Sequence, residues 1–303
     1  MGSFDILGLG VVAVDDLIFV DAYPQPNTKT RVLHRERQCG GLTATALVAA
    51  ARLGARCAYA GELGRDELSE YAIRSLKNEG INLDYMAQSE EARPAYSTIV
   101  IDEARKTRTI FVDLRKVVGA ADQWPAEEII LSSRVLFVDH IGMRGMIRAA
   151  RIARTAGIPV VADIENHASP MFSDLIELVD HLIVSWEFAR LYTGLTQPEE
   201  AVEFLWAPGK SLVAVTCDED GGWYKTAGSP ARHYPAFQVN VVDTTGCGDV
   251  FHGAYAAGLV KGLPADECIR FASAAAALKA TQRGGQAGAP TLAALEAFMK
   301  EER

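Results

Sequence analysis

Asp249 follows directly on Gly246-Cys247-Gly248, inside the stretch DTTGCGDVFHGAYAAG that runs from Asp243 to Gly258. Glycine gives up more backbone freedom on folding than any other residue, so glycines packed this closely need a reason. A loop of bare backbone leading into the apolar run DVFHGAYAAGLVKG puts unpaired N–H groups at the mouth of a helix. Those groups and the helix dipole favour an anion, and glycine lets a phosphate approach the backbone closely. An aspartate in the first turn beside such a site would be repelled by the anion. Taking a proton from a hydroxyl that attacks the phosphoryl group would give it work there. The alternative is a first-turn acid that favours the helix in a purely structural turn. The residues of this stretch leave both readings open.

The elements around it set the frame. Apolar, β-rich runs recur at FDILGLGVV, RCAYAG, RVLFVDH, IPVVADI, HLIVSW and SLVAVTC. Helix-like stretches fall between most of them: TATALVAAARLGA ending at Gly54, RDELSEYAIRSLKNEG ending at Gly80, and RGMIRAARIARTAG ending at Gly157. TQPEEAVEFLW opens with Thr196 as the expected N-cap and Pro198 near the first turn. FQVNVV, just before Asp243, alternates as a strand. Apolar strands alternating with helices predict a mostly parallel central sheet covered on both faces. Two stretches break the rhythm, residues about 15–38 and about 95–113; both read as strands with no helix between. STIVIDEARKTRTIFV reads as a hairpin turning at Glu103–Lys106. A small β-sheet lid on one α/β domain spanning residues 1–303 is the expectation.

Two other nucleotide-like motifs fail on context. Gly8-Leu9-Gly10-Val11-Val12-Ala13 fits the dinucleotide fingerprint, but the β-branched VVAVDDLIFV follows where a helix should. APGKS, Ala207–Ser211, ends like a P-loop, but Phe204 stands where the first glycine belongs. A helix precedes it and a strand follows, the reverse of a P-loop.

The net charge of −9 over 303 residues argues against a nucleic-acid partner. No apolar run approaches a membrane span, and the N-terminus has no basic region like that of a signal peptide. MGSFDI departs from the myristoylation pattern at Ile6. Five scattered cysteines (Cys39, Cys57, Cys217, Cys247 and Cys268) with no C-x-x-C argue for reduced thiols and a cytoplasmic protein.

DTTGCGDVFHGAYAAG resembles the C-terminal signature of the PfkB, or ribokinase, family of carbohydrate kinases. GVVAVD ending at Asp15, GGLTATALVAAARLGARCAYAGELGRDE and FASAAAALKATQRGGQAGAP resemble further segments of that family, in its order. The closest-looking branches are ketohexokinase and sulfofructose kinase. The resemblance implies a ribokinase-like three-layer α/β fold with a β-sheet lid. It also implies transfer of the γ-phosphoryl of ATP to a hydroxyl of a sugar or nucleoside, with Mg²⁺ and often K⁺, and a homodimer paired through the lids. Carried over by position, Asp249 is the base and the Gly246, Cys247 and Gly248 amides hold the developing charge. Asp15, Gly40, Gly41, Thr45 and Lys29 face the acceptor, with Asp16 as the rival to Asp15. Ser185, Glu187 and Thr216 lie with Gly246 and Gly248 on the nucleotide side, and Glu187 is a candidate for indirect contact with Mg²⁺. Asp243 and Thr245 match positions that support a monovalent cation.

The chain departs from the family in places. Thr45 stands where Asn is common, SWEF puts Glu187 one place early, and Asp218 stands where glycine is common. Val112 and Ile141 replace the polar residues that the sulfofructose branch uses for a sulfonate, so a neutral keto- or aldo-sugar is expected. The alternatives are a nucleoside kinase stacking a base on Tyr96 and Phe111, a sulfofructose kinase, and a non-catalytic sugar-binding protein. Arg105, Lys106 and Arg108 form a basic cluster that could clamp phosphate or simply face solvent. His140 and His167 follow strand ends near the expected cleft. Cys247 at a helix mouth raises the alternatives of a reactive thiol with a depressed pKa and a buried filler.

Overall fold

The computed structural model describes residues 4–105 and 107–301; Lys106 of the basic cluster lies outside them. Among these residues an eight-stranded sheet runs, in spatial order, Arg232–Tyr234, Gly222–Thr226, Leu212–Thr216, His181–Ser185, Val160–Asp163, Val135–Val138, Ile6–Leu9 and Cys57–Tyr59. The six strands from Leu212–Thr216 to Cys57–Tyr59 pair in parallel, and the other two close the edge antiparallel.

The strand period of two sorts their side chains between two cores. Ile6, Phe137 and Ile183 pack toward helices Leu42–Arg52, Cys247–Val260 and Ala265–Ala280. Leu7, Val138 and Leu182 pack toward helices Met143–Thr155, Trp186–Thr193 and Pro198–Leu205. The result is the ribokinase-like three-layer α/β fold that the sequence implied.

The lid is a separate four-stranded sheet in the order Val32–Gly40, Ala13–Val20, Ala95–Asp102, Thr107–Asp113. Its first two strands leave the main sheet at Ala13 and return at Gly40, slightly wider than the expected 15–38. The predicted hairpin forms, with Tyr96 opposite Asp113 and Asp102 opposite Thr107.

Two local expectations are corrected. FQVNVV is not a strand; Val241 and Val242 are 63% and 57% exposed. The Val242 and Asp243 amides instead both donate to Ala280 O, at 2.8 and 3.1 Å, which leans this segment on the end of a helix. The helix Pro198–Leu205 is capped by Gln197 rather than Thr196, with no side-chain capping bond, and Pro198 opens it. The APGKS lysine is structural: Lys210 is 7% exposed and donates to Ile176 O and Val179 O.

Candidate active site

The parallel strands end, at their carboxyl ends, where the Cys247–Val260 helix begins, which is where ligands bind in open α/β sheets. Asp243 shapes the approach. Its carboxylate accepts from Thr245 N at 2.9 Å and Gly284 N at 2.8 Å. Gly246 then takes a left-handed turn at φ 77°, and a Cβ there would stand 2.9 Å from Gly285 Cα. Conformation and space both demand glycine. At Gly248 a Cβ would meet nothing within 4 Å, so that glycine leaves the mouth of the helix open. The Gly246 and Gly248 amides have no acceptor among the described residues, whereas the Cys247 amide is turned to Thr244 O at 3.2 Å.

Asp249, in the first turn, keeps a partly exposed edge beside this mouth. Burial pushes its pKa well above the usual carboxylate range, and Asp163 and Glu165 push it further; His252 opposes them. Asp163 ends its strand at 4% exposure and shares a hydrogen bond with Asp249. His252, one turn along the helix, places Nδ1 3.3 Å from Asp163 Oδ2 and 2.8 Å from Gly248 O, and Nε2 3.0 Å from Ile183 O. Asp139, fully buried, accepts from Val11 N, Thr43 Oγ1 and Ile141 N, fastening the lid's exit to the neighbouring strand end. Burial raises its pKa to about 7. The sequence reading missed Asp163, Glu165 and His252. The signal available was the acidic pair in ADIE at the end of an apolar strand.

On the lid side the structure separates Asp15 from Asp16. Asp16 is held by Arg37 through Nε at 2.6 Å and Nη2 at 2.9 Å, and by the Tyr96 hydroxyl at 2.7 Å. Among the described residues no cation is paired to Asp15; burial raises its pKa, and a hydrogen bond from Ser97 partly offsets this. Its Oδ2 lies 2.8 Å from where a Gly40 Cβ would stand. Gly41, at φ 96°, starts the helix Leu42–Arg52 and passes so close to Val11 O that a Cβ would stand 2.6 Å from it. Thr45, 1% exposed, lies beneath Gly246, and its Oγ1 is 3.5 Å from Gln286 Nε2. Lys29 is exposed in the loop joining the far ends of the first two lid strands. The strand itself runs about 16 Å from Asp15 to that end at Val20, at the usual rise.

On the other side, Ser185 and Thr216 are register partners at adjacent strand ends. The Ser185 hydroxyl accepts from Phe188 N at 3.1 Å and so caps its helix. Glu187 is exposed in that helix's first turn, near enough to Glu165 to raise its pKa further after burial. Asp218 adopts φ 47°, so the loop after Thr216 keeps a glycine-like backbone without glycine. Arg108 reaches from the lid to Thr245 Oγ1. Lys279, fully buried, donates to Asp243 O. Burial pushes the Cys247 thiol up to about 11, which favours the buried filler over the reactive thiol of the two alternatives: the helix mouth does not outweigh desolvation there. His140 Nδ1 is 3.5 Å from Glu165 N, and His167 packs among Phe172, Phe188 and Tyr192.

A sequence model described as pfkB family carbohydrate kinase matches residues 9–292. This chain belongs to that family. A ribokinase of Bacillus subtilis is 28% identical over 289 residues, covering 95% of this chain and 96% of its own. Among solved structures, an Arabidopsis thaliana ribokinase complexed with ribose and ATP superposes with a TM-score of 0.87 at 22% identity, covering 99% of both chains. An Escherichia coli protein in complex with ATP and Mg²⁺ has a TM-score of 0.84 at 20% identity, covering 98% of this chain and 99% of its own. At those identities the two structures show the fold. The family match makes the chain an ATP-dependent sugar kinase.

Proposed function

We propose that this kinase transfers the γ-phosphoryl group of ATP to a hydroxyl of a small, neutral keto- or aldo-sugar, with Asp249 as general base. The observation that carries this is the placement of Asp249. It is the acid at the open edge of the helix mouth, next to Gly248 and three residues after Gly246, whose amides have no acceptor among the described residues, and no Lys or Arg among those residues is paired to it. Asp15 offers the acceptor two charged oxygens, and the sugar would lie between it and Asp249. Asp249 takes the hydroxyl proton as the oxygen attacks. The Gly246 and Gly248 amides, with Cys247 between them, stabilise charge growing on the transferring group. Positioning and charge stabilisation suffice for this transfer without a protein nucleophile.

Mg²⁺ fits this donor set as an ion that arrives with the nucleotide. Among the described residues no cluster of three or more His, Cys, Asp or Glu could hold a metal, and hydrated Mg²⁺ needs only one or two carboxylates beside phosphate oxygens. Glu187 and Glu165 would hold its waters, and the ion would neutralise charge on the β- and γ-phosphates.

A neutral sugar is favoured over a sulfonate because Val112 and Ile141 offer no charge and Lys29 lies at the far end of the lid. It is favoured over a nucleoside because the Tyr96 hydroxyl is bonded to Asp16, while Phe111 is 54% exposed. ADP release measured over pentoses, ketohexoses, aldohexoses, sulfofructose, adenosine and inosine tests this. Turnover is expected with a neutral sugar; preference for a nucleoside or for sulfofructose would overturn the choice of acceptor.

The lid also supports a homodimer. Leu33, Ile110, Phe111 and Val112 are each at least half exposed on its two edge strands, and a second copy would cover them. Light scattering on the purified protein should give twice the chain mass.

A further inference from the structure

The family resemblance leads to an expected K⁺ beside Asp243 and Thr245. The chain's own residues do not fit one. Lys279 sits in the helix Ala265–Ala280 and is fully buried. Its ammonium nitrogen is 2.7 Å from Asp243 O, 3.2 Å from Gln282 O and 3.8 Å from Asp243 Oδ2. An ammonium group has three protons and no lone pair, and burying it is tolerable only where oxygens meet those protons. Two carbonyls and a carboxylate converging on one point are also the hard oxygen donors that a bare alkali cation seeks. Ammonium and K⁺ are close in size and equal in charge. The Asp243 carboxylate is engaged besides, with Oδ1 on Thr245 N and Oδ2 on Gly284 N. A free cation drawn to the same oxygens would meet a positive charge already among them.

We propose that the ε-ammonium of Lys279 is this enzyme's built-in monovalent cation, replacing K⁺ beside the anion-binding loop. It is a positioning residue. It joins Asp243, which starts the loop, to Gln282, which starts the return segment carrying Gly284 and Gly285. Gly285 is the residue that packs against Gly246. The charge thus holds together the two segments that aim the Gly246 and Gly248 amides, and it does so covalently tethered, at no dependence on the salt outside. The link to catalysis rests on the kinase reading above; the cation site itself does not.

Two measurements test this on the full chain. The first is the melting temperature in KCl, NH₄Cl, NaCl and tetramethylammonium chloride at matched ionic strength, without substrate. Wild type should melt alike in all four. Lys279→Ala, which frees the oxygens, should be selectively stabilised by K⁺ or NH₄⁺, as a ligand binding only the folded state stabilises it. The second is steady-state turnover in the same salts. Wild type should be indifferent. Lys279→Ala should lose about 100-fold in tetramethylammonium, the scale of a misaimed anion hole, and regain most of it with K⁺ or NH₄⁺. Saturable K⁺ activation or K⁺ stabilisation of wild type would overturn the proposal. So would a folded Lys279→Ala protein indifferent to the cation in melting. If no acceptor is phosphorylated in any salt, the kinase reading has failed instead, and the melting comparison still decides the cation.

Discussion

Arg108 Nη1, on the outermost lid strand, lies 2.5 Å from Thr245 Oγ1, in the loop that ends at Gly246. The lid therefore touches the glycine loop proposed to hold the anion, and it does so with a permanent positive charge. A terminal phosphate seated on the Gly246 and Gly248 amides would be within reach of that charge. Arg108→Ala should raise the KM for ATP and lower kcat/KM by about tenfold or more, the scale of one charge-assisted hydrogen bond. Arg108→Lys, which keeps the charge but loses the planar fork, should recover only part. Unaltered ATP kinetics in Arg108→Ala would assign the contact to packing.

Asp249→Asn keeps the shape of the first turn and removes the proton acceptor. Turnover should fall about 10²- to 10⁴-fold while ATP affinity, measured by calorimetry, stays close to wild type. Substantial residual turnover would remove Asp249 from the chemistry.

The pH dependence has a definite sign. A base must be ionised to work, and burial, then Asp163, then Glu165 raise the Asp249 pKa. Activity should therefore fall as pH drops through a value well above the ordinary carboxylate range. Asp163→Asn removes the nearest like charge, so the acid limb of kcat/KM should move to lower pH. A limb that stays in place would show that the two carboxyl groups are not coupled.

Two glycines of one helix should respond oppositely to alanine. At Gly253 a Cβ would lie 2.1 Å from Ala46 O, a backbone atom that cannot swing aside. Gly253→Ala should cost about 1–3 kcal/mol of stability in denaturant titration, as overpacking does. At Gly248 the space is open, so Gly248→Ala should unfold like wild type. It should nevertheless lose kcat/KM for ATP, because the methyl group occupies the phosphate's approach. Equal stability loss in both variants would contradict this.

Asp5 accepts from Arg56 N, Nε and Nη2 at 3.0, 3.1 and 2.9 Å. The Arg56 guanidinium is the largest cause that holds its pKa at about 2. A depressed carboxylate pKa gives stability that is complete above the unfolded value and lost as pH falls through the folded one. Asp5→Asn should therefore cost about 1–2 kcal/mol at neutral pH, discounted because Arg56 is largely exposed. The gap from wild type should close between about pH 4 and pH 2 in urea titrations. A gap independent of pH would point to packing rather than charge.

The layers, the lid and the helix mouth were legible because each rests on local pattern: apolar strands alternating with helices, strands without helices, and glycines ahead of an apolar run. What was not legible depends on distant partners. Spacing ranks Asp15 ahead of Asp16, but nothing near them says which is ion-paired; Arg37, brought alongside by strand pairing, takes Asp16. Lys279 looks like any helical lysine until Asp243, 36 residues earlier, turns its carbonyl toward it. FQVNVV has the period of a strand, but among the described residues no strand pairs with it, and its end leans on Ala280. The Cys247 thiol illustrates a balance that a motif cannot weigh, a favourable helix end against burial.

The close crossing at Gly253 and Ala46 has a consequence for how such a kinase changes its substrate. The helix carrying Ala46 starts at Gly41, and the helix carrying Gly253 starts at Gly246, so one backbone-to-backbone joint gauges the gap between the proposed acceptor and phosphate ends of the site. With that span set, a longer or shorter acceptor has to be accommodated by the lid strands. Divergence in specificity should therefore be written in the sheet Ala13–Gly40 and Ala95–Asp113, while the tightly crossed pair of helices stays a constant.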